Sequence, residues 1–261
     1  MRDTLEALDA GEIGVAEAES RLAGYATTAA GRFDAAREGR RGIPEAVLAE
    51  GKTPAEVAAL ATTAVETTGR ALVTRADAED AAAIRTAMAD LDLDTAASLD
   101  PTVDRDERAG TVVVHAADFD PPELGATVAV VAAGTADAAV AGEAAVVAGE
   151  IGAAIDRVDD VGVANLDRIL DQRDRIREAD VVVVAAGREG ALPTVVAGLV
   201  PAPVIALPVS TGYGAGGEGV AALHGALQSC SALTTVNVDA GFVAGAQAGL
   251  IARAIDAARR D

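Results

Sequence analysis

The amino-acid sequence predicts an α/β protein in which a three-layer α/β/α parallel sheet follows a smaller, mainly helical α/β unit. The first observation is the run of four valines at residues 181–184, which is typical of a parallel strand covered on both faces. The second is the alternation of strand and helix patterns after residue 110, joined by short loops. The third is the placement of glycine-rich turns directly after predicted strands.

The 261 residues divide by composition into three parts. Residues 1–90 predict a helical and mixed unit with one short strand, in which Thr53 and Glu56 form a capping-box pattern that opens a helix. Residues 91–110 are rich in acid and have no apolar period, so they predict a linker. Residues 111–261 predict the domain that holds the parallel sheet, beginning with the strand TVVVH.

The net charge of −20 is spread evenly along the chain. Acids exceed bases by ten both in residues 1–110 and in residues 111–261, which indicates a solvated acidic coat rather than a docking patch. Arginine supplies every base except Lys52, a composition that resembles proteins of salt-accumulating cytoplasms. The sequence has no basic stripe for nucleic acid, no apolar run of membrane-spanning length and no signal-peptide pattern, so we expect a cytoplasmic protein.

Three glycine-rich turns are expected at the carboxyl ends of the strands. They read AAGTAD (132–137), AAGREGALP (185–193) and PVSTGYGAGGEG (208–219). Backbone N–H groups and helix N-termini at this edge favour an anionic ligand, although neither a Rossmann nor a Walker spacing occurs. Glu189 and Asp239 follow apolar strands and are expected at the same edge, either as a general base or in an ion pair.

Other candidate residues have two interpretations each. Cys230, the single cysteine, lies between two serines in an apolar segment and is either a nucleophile or a small buried side chain. Asp137 is either a helix cap or a ligand contact. A cluster of basic residues lies among glycines and consists of Arg37, Arg40, Arg41 and Lys52. It either binds an anion such as phosphate or forms a solvated surface. No histidine, aspartate or glutamate spacing predicts a metal site.

Long stretches of the second domain resemble a known family. They are GTADAAVAGEAAVVAGEIG, AGREGALPTVVAGLVPAPVIALPVSTGYGAGGEGVAALHGALQSC and VNVDAGFVAGAQA. They resemble the nickel-pincer nucleotide cofactor biosynthesis family LarB, the pyridinium-3,5-biscarboxylic acid mononucleotide synthases. RRGIPEAVLAEGKT extends the resemblance into the first unit. The resemblance implies a flavodoxin-like catalytic domain similar to phosphoribosylaminoimidazole carboxylase.

The resemblance also implies a reaction, the first step of nickel-pincer nucleotide cofactor biosynthesis. Nicotinic acid adenine dinucleotide and carbon dioxide would give pyridinium-3,5-biscarboxylic acid mononucleotide and AMP. By resemblance, Cys230 is the thiolate that adds transiently to the pyridinium ring, and Glu189 is the base. Asp137 and Asp160 fall near the ring and the incoming carbon dioxide. The substrate-binding positions implied are Gly134, Thr135, Ala136, Gly187, Arg188, Gly190, Ser210, Gly212, Tyr213, Gly214, Asp239, Arg41 and Lys52.

One of these positions departs from the family pattern. Ala136 stands where the family has serine, so the role of that hydroxyl would pass to Thr135 or to the backbone. The resemblance implies no tightly bound cofactor, with Mg²⁺ as an option at the dinucleotide phosphates and carbon dioxide as a substrate. It further implies a homo-octamer whose product passes to sulfur-inserting and nickel-inserting enzymes.

Two alternatives remain open from the sequence. The purine-synthesis carboxylase or mutase carries a histidine before Leu-Pro, where this chain has Ala191, so the loss of that histidine disfavours aminoimidazole carboxylation. A nucleotide-binding regulatory module without catalysis would have no need of Cys230.

Overall fold

The computed structural model describes residues 2–15, 18, 22–91 and 101–260. The chain forms two compact units, Met1–Asp120 and Pro121–Asp261, and each is described by itself. Within the described residues, no helix is both long enough and apolar enough to cross a bilayer.

The first unit mixes short strands with two long helices. Its described elements are α1 (Arg2–Asp9), β1 (Ala26–Thr28), β2 (Gly31–Phe33), α2 (Arg37–Arg41), β3 (Ala46–Leu48), α3 (Pro54–Thr68), β4 (Arg70–Thr74), α4 (Ala78–Ala89), β5 (Thr102–Asp106) and β6 (Thr111–His115). β1 and β2 form a hairpin, and the other strands form a mixed sheet in the order β3-β4-β6-β5. The core lies between this sheet and α3 and α4, with Val57, Ile84 and Val112 fully buried.

The capping box predicted at the start of α3 is confirmed. Thr53 Oγ1 accepts a hydrogen bond from the Glu56 amide at 3.3 Å, and Glu56 Oε2 accepts one from the Thr53 amide at 2.8 Å. These bonds satisfy two backbone donors that the first helical turn leaves unpaired.

The predicted boundary between linker and second domain is corrected by the position of β6. The strand at residues 111–115 pairs antiparallel with β4 and with β5, so it belongs to the first unit and not to the parallel sheet. Residues 102–106, predicted as linker, form the edge strand β5; residues 92–100 of that linker lie outside the described residues.

The second unit alternates strands and helices as predicted. Its elements are β7 (Thr127–Ala132), a short 3₁₀ turn (Thr135–Asp137), α5 (Ala138–Glu150), β8 (Ala154–Val158), α6 (Leu166–Asp171), α7 (Arg173–Arg177), β9 (Val181–Ala186), α8 (Ala191–Leu199), β10 (Val204–Pro208), α9 (Val220–Leu227), β11 (Thr234–Thr235) and α10 (Gly241–Arg260). All strand pairs are parallel, in the order β11-β10-β9-β7-β8. This is the flavodoxin-like order.

Helices cover both faces of the parallel sheet, which confirms the three-layer prediction. α5 and α10 pack on one face through alanines and glycines, while α6, α7 and α8 pack on the other with Ile169, Ile176 and Leu192. The valine run of β9 alternates between the two faces, so all of its side chains are buried.

Small residues allow α10 to lie directly on α5. A Cβ atom added to Gly245 would stand 2.3 Å from the carbonyl oxygen of Ala144 and 2.9 Å from Cβ of Val147. The absence of a side chain therefore permits the close approach of the two helix backbones.

Candidate active site

An open cleft lies at the carboxyl edge of the parallel sheet, where the strand order reverses. The chain leaves β7 for β8 on one side, whereas β9 leads to β10 on the other, so the strand-end loops diverge and leave room for a ligand. The cleft measures about 600 Å³. The lining residues after β7 are 133–137, those after β8 are 160, 162–164 and 168, and those after β9 are 187–189, 191 and 192. Ala186 at the end of β9 and Thr211 after β10 complete the lining.

Asp137 joins two walls of the cleft. Its side chain is 6% exposed and accepts hydrogen bonds from the amides of Gly134, at 2.9 Å, and of Gly187. Burial raises the pKa of the Asp137 carboxyl, because the charged form loses hydration, and the two amides offset part of that rise. Asp137 does not cap α5; it fastens the β7 loop to the β9 loop.

The turn after β9 fits closely against the loop after β10. A Cβ atom on Gly187 would lie 2.3 Å from the carbonyl oxygen of Thr211, so only glycine fits there. The amide of Arg188 donates to the same Thr211 oxygen at 3.1 Å. Arg188 has φ +47°, a left-handed conformation that is costly for a residue with a side chain.

Arg188 and Glu189 present exposed side chains to the cleft. The guanidinium carbon of Arg188 lies 4.2 Å from the ring centroid of Tyr213, which is a cation–π contact. Tyr213 is 78% exposed and lies in the glycine-rich loop after β10. This loop therefore contacts the cleft rim beside Glu189.

An ion pair borders the opposite side of the cleft. Arg168 Nη1 lies 3.0 Å from Asp160 Oδ1 and donates to the Asp160 carbonyl oxygen at 3.0 Å. Arg168 Nη2 donates to the carbonyl oxygen of Gly162 at 3.3 Å. Asp160 has φ +59°, so these bonds help to hold the strained loop after β8. The cleft thus combines three carboxylates with two guanidinium groups.

Cys230 lies outside the cleft lining, on the loop between α9 and β11. Its side chain is exposed, so the interpretation as a buried small side chain is wrong. The serines on either side of it hydrogen-bond to α8: Ser229 Oγ lies 3.0 Å from Thr194 Oγ1, and Ser231 Oγ donates to the Thr194 carbonyl oxygen at 3.4 Å.

Two family models match the chain. The model described as LarB/PurE-like N-terminal domain matches residues 25–100, and the model described as AIR carboxylase matches residues 127–261. The chain belongs to the LarB family. It is also similar to a protein of Methanocaldococcus jannaschii named "Uncharacterized protein MJ0165", with 34% identity over 259 residues, which is 97% of each chain.

As a member of the LarB family with an AIR carboxylase domain, the protein is a carboxylase-type enzyme. The matched AIR carboxylase residues contain the entire cleft lining. The match to the LarB/PurE-like N-terminal domain falls in the first unit, whereas the AIR carboxylase match and the cleft lining fall in the second.

The structure brings eight of the 17 predicted site residues to the lining of this cleft. Those that line it are Gly134, Thr135, Ala136, Asp137, Asp160, Gly187, Arg188 and Glu189. Ala136 is exposed in the 3₁₀ turn, where the LarB resemblance placed a serine, and Thr135 lies beside it.

Several predicted residues lie beyond the lining of the LarB-family cleft. Asp239 Oδ1 accepts from the Ser210 amide at 2.9 Å, which fastens the start of the loop that carries Gly212, Tyr213 and Gly214. Gly190 lies against α9, where a Cβ atom on it would stand 2.6 Å from Cα of Ala222. The absence of a side chain therefore allows the turn after β9 to pack on α9.

Arg41 and Lys52 belong to the first unit, and Lys52 Nζ donates to the carbonyl oxygen of Leu48 at 2.6 Å. Two other bases of the cluster form ion pairs, Arg37 with Glu45 and Arg40 with Asp34, each at 2.6 Å. These pairs favour the interpretation of the cluster as solvated surface for those two arginines. Phosphate contact by Arg41 and Lys52 stays a prediction.

Sequence reasoning missed Arg168, the second guanidinium group of the cleft. It lies in a charged helical stretch whose side chains read as solvent-facing. The signal that could have found it is its position in the first turn of the helix that follows β8, eight residues after Asp160.

Proposed function

We propose that the protein carboxylates nicotinic acid adenine dinucleotide and hydrolyses its phosphoanhydride, yielding pyridinium-3,5-biscarboxylic acid mononucleotide and AMP. The observation that carries the proposal is the composition of the cleft in a LarB-family chain. Glu189 supplies a proton acceptor, and Arg168 and Arg188 supply guanidinium groups suited to phosphate and carboxylate.

The chemistry requires a nucleophile, because a pyridinium ring is electron-poor and does not attack carbon dioxide. In the proposed first step the Cys230 thiolate forms a bond to a ring carbon, and a ring π pair moves to the nitrogen. The resulting neutral enamine attacks carbon dioxide through C5. A carbon–carbon bond forms, one C–O π pair becomes the charge of the new carboxylate, and the ring nitrogen becomes cationic again.

Glu189 acts in the second half of the proposed reaction. Its carboxylate takes the C5 proton, and the C–H pair returns to the ring and neutralises the nitrogen. The nitrogen lone pair then expels the thiolate and restores the aromatic cation. Sulfur suits both steps because a thiolate is a strong nucleophile and a competent leaving group. Water cleaves the phosphoanhydride and releases AMP.

The remaining residues of the cleft have roles in binding. Helix α8 begins two residues after Glu189, and Ala191 and Leu192 in its first turn line the cleft, so the positive end of the helix favours an anion there. Asp137 keeps the β7 and β9 loops together beneath the ligand. The exposure of Cys230 leaves its thiol accessible to a substrate that extends beyond the cleft rim. We further propose that the protein assembles as a homo-octamer. Its product would then pass to sulfur-inserting and nickel-inserting enzymes.

The test is product analysis with ¹³C-labelled bicarbonate. The protein is incubated with label and either nicotinic acid adenine dinucleotide or aminoimidazole ribonucleotide, and the products are identified by mass spectrometry. With the dinucleotide as substrate, we expect AMP and a dicarboxylated mononucleotide that carries one ¹³C atom from bicarbonate. The Cys230→Ala variant should form neither product. Carboxylation of the aminoimidazole alone would assign the purine reaction, and binding without any product would assign a regulatory module.

A further inference from the structure

A compact set of hydrogen bonds surrounds Cys230 and converges on one residue of α8. Thr194 Oγ1 lies 3.0 Å from Ser229 Oγ, which also accepts from the amide of Ser231 at 3.1 Å. Ser231 Oγ donates to the carbonyl oxygen of Thr194 at 3.4 Å. These groups are partly buried, whereas Cys230 between the two serines is exposed. The backbone is therefore tied on both sides of a thiol that stays accessible.

The helix that holds the Cys230 loop also begins at the proposed base. α8 starts at Ala191, two residues after Glu189. At 1.5 Å of rise per residue, Thr194 lies only about 6 Å along the axis from the N-cap residue Gly190. One helical segment thus connects the turn that carries Glu189 with the contact that holds Cys230.

Helix α9 also packs against the turn that carries Glu189. A Cβ atom on Gly225 would lie 2.7 Å from the carbonyl oxygen of Glu189, and one on Gly190 would lie 2.6 Å from Cα of Ala222. α9 is therefore packed against the Glu189 turn, and its C-terminal end leads directly into Ser229 and Cys230. Close contacts therefore hold both the turn that carries Glu189 and the loop that carries Cys230.

We infer that Thr194 is a positioning residue that fixes the Cys230 loop relative to Glu189. This inference rests on the proposed function, since it assigns the two residues successive steps on one ring. Thiolate addition and C5 deprotonation both need a defined geometry, and a displacement of about 1 Å in such a site can reduce the rate about 100-fold. An exposed loop without side-chain ties would move over larger distances.

The test compares Thr194→Val with Thr194→Ser. Valine keeps the shape of threonine and removes the hydroxyl group, whereas serine keeps the hydroxyl group and removes the methyl group. We expect Thr194→Val to lower kcat by about 10-fold to 100-fold, with KM within about twofold because the cleft lining is intact. Thr194→Ser should retain most of the wild-type kcat, and the thermal midpoints should show that both variants fold.

A second readout isolates the cysteine step. In the Glu189→Gln background, where C5 deprotonation is blocked, intact-protein mass spectrometry measures the substrate adduct on Cys230. Adding Thr194→Val should reduce this adduct severalfold, and adding Thr194→Ser should not. A wild-type kcat in Thr194→Val, or an equal loss in both variants, would overturn the inference.

Hydrogen exchange separates failure of this inference from failure of the proposed function. Without substrate, peptides covering residues 229–231 should exchange faster in Thr194→Val than in wild type or Thr194→Ser. If wild type forms no carboxylated product, the proposed reaction and the positioning role both fail. Hydrogen exchange then still shows whether the Thr194 hydroxyl group holds the loop at residues 229–231. If wild type is active and exchange is unchanged in Thr194→Val, only the positioning role is wrong.

Discussion

Arg168 binds Asp160 twice through a single nitrogen: Nη1 contacts both the carboxylate and the backbone carbonyl oxygen of that residue at 3.0 Å. The pair holds a guanidinium group at the wall of the cleft. The backbone of Asp160 is in a left-handed conformation, which aspartate adopts more readily than most residues, and the bonds from Arg168 add contacts to that conformation. A substitution of Arg168 would therefore change both the charge of the cleft and the contacts of the loop after β8.

The first prediction concerns substrate affinity. Arg168→Gln removes the positive charge and its hydrogen bonds, and hydrogen bonds to charged groups contribute about 1.5–3 kcal/mol each. We expect binding of the dinucleotide to weaken by about 10-fold to 100-fold in isothermal titration calorimetry. Arg173→Gln is the control, since Arg173 is an exposed arginine that pairs with its neighbour Asp174 and does not line the cleft. Equal affinities in the two variants would remove Arg168 from the binding site.

The second prediction concerns the contact between α10 and α5. Gly245→Ala places a methyl group 2.3 Å from the Ala144 carbonyl oxygen, so the helices must separate, and we expect a loss of about 1–3 kcal/mol in the free energy of unfolding. Gly198→Ala is the matched control in α8, where an added Cβ meets nothing within 4 Å. That variant should be neutral or up to about 1 kcal/mol more stable, because alanine is the better helix former. Urea unfolding of both variants measures the difference.

Local signals in the sequence predicted much of the fold. The capping box at Thr53 and Glu56 depends on residues three apart, and the valine run of β9 is hydrophobic enough to require cover on both faces. β5 was missed because alternating acids in TVDRD describe an edge strand as well as a linker. The partner of β6 could not be read from TVVVH, since strand pairing is set by distant segments.

The candidate site likewise contains residues that local sequence signals predicted and residues that only the fold reveals. Glu189 and Asp137 were found because each follows a strand end, and the strand order brings those ends together. The role of Asp137 as a tie between two loops needed the position of Gly187, which is 50 residues away in the sequence. Arg168 was missed because its importance arises from the fold around Asp160 rather than from its own neighbours in the chain.

The third prediction concerns pH and stability. Burial raises the pKa of Asp137 above its ordinary value of 3.8, so the folded state binds a proton more tightly than the unfolded state does. The stabilising contribution is complete below the unfolded pKa and is lost as pH rises through the folded pKa. The free energy of unfolding of wild type, minus that of Asp137→Asn, should therefore fall as pH rises from about 4 toward neutrality. Denaturant unfolding of both proteins across this range is the measurement, and a difference that grows with pH would contradict the raised pKa.

The last prediction concerns the base. Glu189→Gln keeps the size and the hydrogen-bonding capacity of the side chain but cannot accept the C5 proton, and the loss of a general base costs about 10²–10⁴ in rate. We expect kcat for carboxylation to fall in that range while the affinity for the dinucleotide, measured by calorimetry, stays within about twofold. Glu178→Gln makes the same chemical change at an exposed position before β9, at the opposite end of the strand from the cleft, and should turn over like wild type. If Glu189→Gln also turns over like wild type, the proton acceptor lies elsewhere in the cleft, and Asp160 is then the carboxylate to substitute.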